Sequence, residues 1–180
     1  IKSHNPCGAA GNADCQVQDG EGRVRGVELE GRVTPLEGFS VIGAASWMDS
    51  EVTRSNNGYT GKQLAMVPDW TAALWADYTF QSGPMKGFSF ASGVRHNGAT
   101  LLVVSGIGIA GSGYPEKIPA YTLWDAAIRF DLSQVSQANL LMSLNIGNLA
   151  DKRFVTTCTG ISSCWFGSGR TVTATARWAW

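Results

Sequence analysis

Apolar and polar residues alternate with period two along most of this chain. From Arg170 to Trp180, Val172, Ala174, Ala176, Trp178 and Trp180 are apolar, while Thr171, Thr173, Thr175 and Arg177 between them are polar. Side chains of a β-strand point alternately to its two faces, so this spacing predicts a strand with one oily side. Tyr121 to Leu132 repeats the pattern, with Trp124, Ala126, Ile128, Phe130 and Leu132 opposite Asp125, Arg129 and Asp131. Leu140, Met142, Leu144 and Ile146 alternate with Asn139, Ser143, Asn145 and Gly147, with Leu141 as the exception. Trp70 to Gln81 and Val27 to Val33 behave likewise, and weaker versions run from Phe39 to about Thr53 and from Phe88 to about Thr100. The expectation is about seven long antiparallel strands in an all-β, up-and-down meander. No segment has helical spacing.

The connections alternate too. Turns near Pro35–Gly38, Ser82–Gly87 and Ser133–Gln137 are short, whereas Ser55–Leu64, Leu101–Ile118 and Val155–Gly169 are long, Gly-rich and polar or mixed. Short turns at one end and long loops at the other are the rule in transmembrane β-barrels. Each alternating stretch covers about the 9–11 residues that a tilted strand needs to cross a hydrocarbon layer. Aromatic rings crowd toward strand ends. Phe39, Tyr78, Phe80, Phe88, Phe90, Phe130, Trp178 and Trp180 lie near the short turns or the C-terminus, and Trp47, Trp70, Tyr121, Trp124 and Phe154 nearer the long loops. Two rings of aromatics around an aliphatic band match the two headgroup boundaries of a bilayer. The opposite face, with Glu28, Glu30, Arg32, Asp77, Arg95, Asn97, Asp125, Arg129, Asp131, Asn145 and Arg177, is expected to face a lumen, because Arg or Lys in mid-bilayer costs roughly 2–4 kcal/mol. Seven strands are an odd number and would leave two unpaired edges in lipid, so further strands are expected before residue 1.

Composition supports this picture. The chain has 180 residues, and its 14 basic and 14 acidic residues give a net charge of +0. Only 16% are charged, against about 25% in soluble domains. Nucleic acid is excluded as a partner, because nothing forms the basic stripe that phosphates require. There is no initiator Met and no leader-like segment, which reads as a piece of a longer protein. Cys7 with Cys15 and Cys158 with Cys164 form two local pairs, expected as disulfide-closed loops in an oxidising compartment. Their spacing, and that of His4 and His96, does not suit zinc.

Several segments, taken in order, resemble the C-terminal barrel of TonB-dependent siderophore receptors. They are Arg23-Val-Arg-Gly-Val-Glu-Leu-Glu30, Pro68-Asp-Trp-Thr-Ala-Ala-Leu-Trp-Ala-Asp-Tyr78, Ile118-Pro-Ala-Tyr-Thr-Leu-Trp-Asp125, Asn145-Ile-Gly-Asn-Leu-Ala-Asp-Lys-Arg-Phe154 and Arg170-Thr-Val-Thr-Ala-Thr-Ala-Arg-Trp178. The run Asn148-Leu-Ala-Asp-Lys-Arg-Phe154, then a Cys-bounded loop and Arg170-Thr-Val-Thr-Ala-Thr, is the most specific part. The resemblance implies an incomplete arc of a 22-stranded outer-membrane barrel. Residues 1–180 would be the C-terminal part of that one barrel domain, residues 1–20 the end of an extracellular loop, and an N-terminal plug domain would lie elsewhere. It further implies import of ferric siderophore as transported ligand, energised by the TonB complex, with no covalently bound cofactor. The aromatic end, Trp178 and Trp180, resembles the signal read by the barrel-assembly machinery, and lipid of the bacterial outer membrane would surround the wall.

Bulky, partly aromatic ferric ligands call for stacking rings and a few hydrogen-bond donors. The ligand-binding candidates are Trp165 and Phe166 beside Cys164, Tyr114 and Tyr59 in the other long loops, and Arg95 and Asn97 facing the lumen. Gly106-Ile-Gly-Ile-Ala-Gly111 matches a dinucleotide fingerprint, but Pro115 and Pro119 follow where its helix would have to form. No nucleophile elbow appears, and His96 stands in a strand without an evident nucleophile, where it reads as a lumen-facing polar residue, so an enzyme is not expected. The alternation alone leaves two other readings open: a plug-less, porin-like channel and a soluble all-β binding module.

Overall fold

The computed structural model describes residues 20–55, 58–102, 117–160 and 163–179. Eleven strands lie within them: β1 (Gly20–Leu36), β2 (Phe39–Ser55), β3 (Trp70–Thr79), β4 (Phe88–Asn97), β5 (Thr100–Leu101), β6 (Lys117–Ile118), β7 (Tyr121–Asp131), β8 (Leu140–Gly147), β9 (Val155–Gly160), β10 (Ser163–Phe166) and β11 (Thr171–Trp178). Seven form one antiparallel sheet in the order β1-β2-β3-β4-β7-β8-β11, and two small hairpin pairs, β5 with β6 and β9 with β10, occupy the long connections. The short turns are tight. β1 and β2 are joined by two residues, with Gly38 at φ 78°. Short 3-10 turns, Gly83–Met85 and Leu132–Gln134, complete the other two.

Pairing partners share a face, so each register row can be followed across the sheet. One row runs Phe39, Tyr78, Phe90, Ile128, Leu144, Ala174. Another runs Gly31, Gly43, Leu74, Val94, Trp124. The intervening rows belong to the other face and carry the expected polar set: Glu30, Ala44, Ala73, Arg95 in one, and Asp77, Ala91, Ala127, Asn145, Thr173 in another. Among the described residues, nothing covers the apolar side. Leu29 is 74% exposed, Leu74 51% and Trp178 69%. A soluble module would have clasped these side chains into a core, and here the buried apolar residues are few.

Rings bound the apolar face as expected near the short turns, where Tyr78 meets Phe80 at 4.9 Å and Phe88 stacks on Phe130 at 4.2 Å. Near the long loops the row is Trp47 paired with Trp70, and Trp124. Three placements correct the sequence reading, one of them Phe154, whose ring meets Tyr121 at 4.3 Å on the polar side and so stands outside the ring row. Tyr121 pairs with Asn97 on the polar face and so leaves this ring row. His96 pairs with Ala72, which puts it on the apolar face and not in the lumen. Its imidazole stacks on Trp70 at 4.1 Å and its Nδ1 meets Thr122 Oγ1 at 2.8 Å, so the ring face is shielded and a polar atom is satisfied at the boundary.

Strand lengths are unequal. Phe39–Trp47 of β2 pairs with both neighbours, while Met48–Ser55 pairs with β1 alone. The β1–β2 hairpin therefore rises about 25 Å past the ring row, at about 3.3 Å per residue. It carries the Arg23–Glu51 ion pair (2.7 Å), and residues 58–69 lie back along it through Val52 N–H to Lys62 O (2.8 Å).

On the lumen side, Gly93 makes room for Trp75. A Cβ there would overlap Trp75 Cε3 and the Leu74 carbonyl oxygen. Gly93→Ala is expected to destabilise the barrel by about 1–3 kcal/mol through overpacking. Gly43→Ala, whose Cβ would meet Leu74 at an ordinary 3.4 Å, is expected to be near neutral. The temperature at which the folded protein loses its compact mobility in detergent checks both.

Candidate functional site: a lumen-side cavity at the long-loop rim

At the long-loop end of the polar face, β4, β7, the end of β8 and the start of β11 surround an open cavity of about 520 Å³. β4 contributes Arg95 and Asn97, two residues apart and hence on one face. β7 contributes Tyr121, whose ring meets Phe154 at 4.3 Å. Phe154 is seated against Gly167, where a Cβ would collide with the ring.

The segment after β8 ties the cavity together. Asn148 is 3% exposed and adopts φ 52°, a left-handed conformation that Asn tolerates better than most residues. Its Nδ2 donates to Lys152 O (2.8 Å) and Ser168 O (3.1 Å), and its Oδ1 accepts from Lys152 N–H (2.9 Å). One side chain thus fastens both stems of the segment that holds β9 and β10. Asp151, also at φ 52°, accepts from Arg170 N–H at 2.7 Å and adds a second clasp. The Asn148 backbone N–H donates to Asp125 Oδ1 (2.8 Å). Asp125 also accepts both Arg95 Nε (2.5 Å) and Nη2 (3.1 Å), a bidentate charge-assisted pair. A continuous chain of bonds therefore runs from the lumen-facing guanidinium through Asp125 and Asn148 to the outer loop.

Above this, Cys158 and Cys164 face each other across the β9–β10 hairpin in the expected disulfide. Cys158 packs with Leu102, Ile118 and Val155 into a small apolar cluster. Thr157 Oγ1 donates to Met66 Sδ at 3.3 Å, bringing a third long connection into the same cap.

Of the ligand-binding candidates, the structure brings Arg95 and Asn97 together in the cavity. Trp165 and Phe166 stand on β10, 51% and 74% exposed, and do not line it. Tyr59 is part-buried in a separate turn where its carbonyl accepts from Lys62 N–H, away from the cavity. Tyr114, Cys7, Cys15, His4, Trp180 and the Gly106–Gly111 run lie outside the described residues, and Trp178 closes β11 on the apolar face opposite Leu140. Sequence reasoning missed Tyr121, Asn148 and Phe154 as lining residues. The Asn148–Phe154 run was the available signal.

Comparison with known proteins gives consistent results. Residues 3–149 match the family model described as TonB dependent receptor-like, beta-barrel. The chain is 36% identical over 160 residues to the ferrichrome outer membrane transporter/phage receptor of Escherichia coli, covering 89% of this chain and 20% of that protein. It is 31% identical over 161 residues to the ferrioxamine B receptor of Salmonella typhimurium, covering 89% and 22%. Among solved structures, the siderophore receptor PiuA of Acinetobacter baumannii superposes with TM-score 0.67 at 24% identity over 87% of this chain and 22% of that one. The ferric preacinetobactin receptor BauA of the same species gives 0.71 at 22% identity over 88% and 22%. The chain thus spans about a fifth of the length of these relatives.

Proposed function

This chain belongs to the TonB-dependent receptor β-barrel family, and from that premise we propose that it forms part of the wall and outer rim of a receptor importing ferric siderophore across the bacterial outer membrane. The observation that carries the reading is the sidedness of the seven-stranded arc: an apolar face between two ring rows that no described residue covers, backed by a polar face that holds a rim cavity. The names of two relatives, a ferrichrome transporter and a ferrioxamine B receptor, support a ferric chelate as ligand. Arg95 and Asn97, with Tyr121 and Phe154, would contact it from the wall. Trp165, Phe166, Tyr59 and Tyr114 would meet it from the loops during capture. The plug, and the segment that engages TonB, would be supplied by the rest of a longer receptor, and Trp178 with Trp180 would serve barrel assembly.

Disulfide closure and the Asn148 clasp suit such a role because a loop ordered beforehand loses less entropy on binding. The test is growth under iron limitation. A strain lacking the full-length receptor should fail to use at least one ferric siderophore, and the restored gene should return growth. Restored growth on none of a panel of hydroxamate, catecholate and mixed ferric chelates would overturn the reading.

A further inference from the structure

We propose that the gap between β2 and residues 58–69, where the β1–β2 hairpin rises above the ring row, is a binding site for Ca²⁺, and that the ion fastens this outer connection to the hairpin. The gap follows from the backbone. Met48 N–H donates to Asp69 O and Val52 N–H to Lys62 O, both at 2.8 Å. Residues 49–51 of β2 therefore stand opposite residues 63–68, and the longer segment bows away from the strand. A cavity of about 330 Å³ opens between them, lined by Asp49, Ser50, Glu51, Gly61, Gln63 and Asp69. No apolar and no basic side chain lines it.

Ser46 and Thr71 are paired and hydrogen-bonded at 2.7 Å. Ser50 lies four residues beyond the one and Asp69 two before the other, so strand alternation puts all four on the polar side. Ser50 is 6% exposed, and its Oγ meets no partner among the described residues. Buried hydroxyls are as a rule hydrogen-bonded, so an orphan oxygen in the wall of a polar cavity marks the place of a ligand. Asp69 accepts from Gln63 Nε2 at 2.6 Å through Oδ1, which leaves its Oδ2 and the Gln63 carbonyl oxygen for a third partner. On the other edge, Glu51 is taken up by Arg23 at 2.7 Å. Asp49 stands across from Arg25 in the register and has no ion pair among the described residues.

A lining of anionic and neutral oxygens calls for a cation, and the donor set selects which. Among the described residues no three carboxylates, imidazoles or thiols gather as a transition-metal set. The gap offers carboxylate, hydroxyl, amide and strand carbonyl oxygens on two segments of unequal length. Ca²⁺ accepts about 6–8 such mixed oxygens in flexible geometry, whereas Mg²⁺ demands a regular octahedron. So few carboxylates make a weak extracellular site, with a dissociation constant of about 0.1–1 mM. Bridging β2 and residues 61–69, the ion stands in for the ladder where the two segments part.

The test uses the full-length receptor in detergent, stripped of metal with a chelator and then given CaCl2 or MgCl2. Hydrogen exchange of residues 58–69 is expected to slow at least about fivefold in about 5 mM Ca²⁺, with a midpoint of about 0.1–1 mM, and to stay unchanged in equal Mg²⁺. Exchange in β3 and β4 serves as the internal reference. Asp69→Asn keeps an acceptor for Gln63 but removes the anion, and should raise the midpoint about tenfold or more. Ser50→Ala removes one neutral oxygen and should raise it about threefold; it decides the matter alone if Asp69→Asn loses the heat-modifiable mobility of a folded barrel. Equal slowing by Mg²⁺, slowing by neither ion, or a midpoint that the folded variants leave unmoved would each overturn the site. None of these readouts depends on which chelate the receptor carries.

Discussion

Asn148→Ala is expected to unfasten the disulfide-bearing loop from the barrel rim while leaving the seven-stranded sheet assembled. The substitution strands three backbone groups, Lys152 N–H, Lys152 C=O and Ser168 C=O, that the amide now satisfies. A buried group left without a partner costs about 1–3 kcal/mol, and water can reach part of a rim loop, so the expected local loss is about 3 kcal/mol. Ala also fits φ 52° less well than Asn. Hydrogen exchange of the full-length protein reads this directly. Amides of residues 155–166 should exchange about a hundredfold faster, those of β3 and β4 at the parent rate. Asn148→Gly keeps the left-handed backbone and removes only the amide, so it should behave like the Ala variant. Parent-like protection in the Gly variant would assign the effect to backbone strain and dismiss the clasp.

Leu74→Arg is expected to have the largest effect on membrane stability among single wall substitutions of this size. Leu74 lies midway along β3, four residues from Trp70 in one ring row and four from Tyr78 in the other, and is half-exposed on the apolar face. Arg at mid-bilayer depth costs roughly 2–4 kcal/mol in a barrel wall. Ala44→Arg lies on the polar face with Glu30 directly opposite, and should be tolerated. Urea unfolding of the two variants in lipid vesicles should separate them by at least about 2 kcal/mol. Equal stabilities would mean that the two faces have been assigned to the wrong surroundings.

The wall was legible in the sequence because its information is local. Period two fixes which residues share a side, and Arg95 and Asn97 could be placed on the lumen face by parity alone. His96 escaped because its polarity argued for the lumen, whereas its position in the Ala72 row and its stack on Trp70 decide otherwise. Tyr121 was misread for the converse reason: ring type suggested the boundary, register gave the lumen side. Loop composition alone points to Trp165, Phe166 and Tyr59, and no local rule specifies where a loop side chain ends up. The clasp depends on Ser168, twenty residues from Asn148, and the Arg95–Asp125 pair spans thirty. Such long-range partners leave no periodic trace.

The strict row register has a consequence for how walls of this kind diverge. One inserted or deleted residue between the ring rows would turn every later side chain of that strand inside out, so length there can change only in steps of two. The register of β1 with β2 slips at just two places, Glu21/Gly22 above the upper ring row and Val33/Leu36 beside the lower turn. Odd-numbered length changes are thus absorbed at the margins, which leaves the outer connections as the part of the chain free to be redrawn for a new ligand while the hydrocarbon-spanning lattice stays as it is.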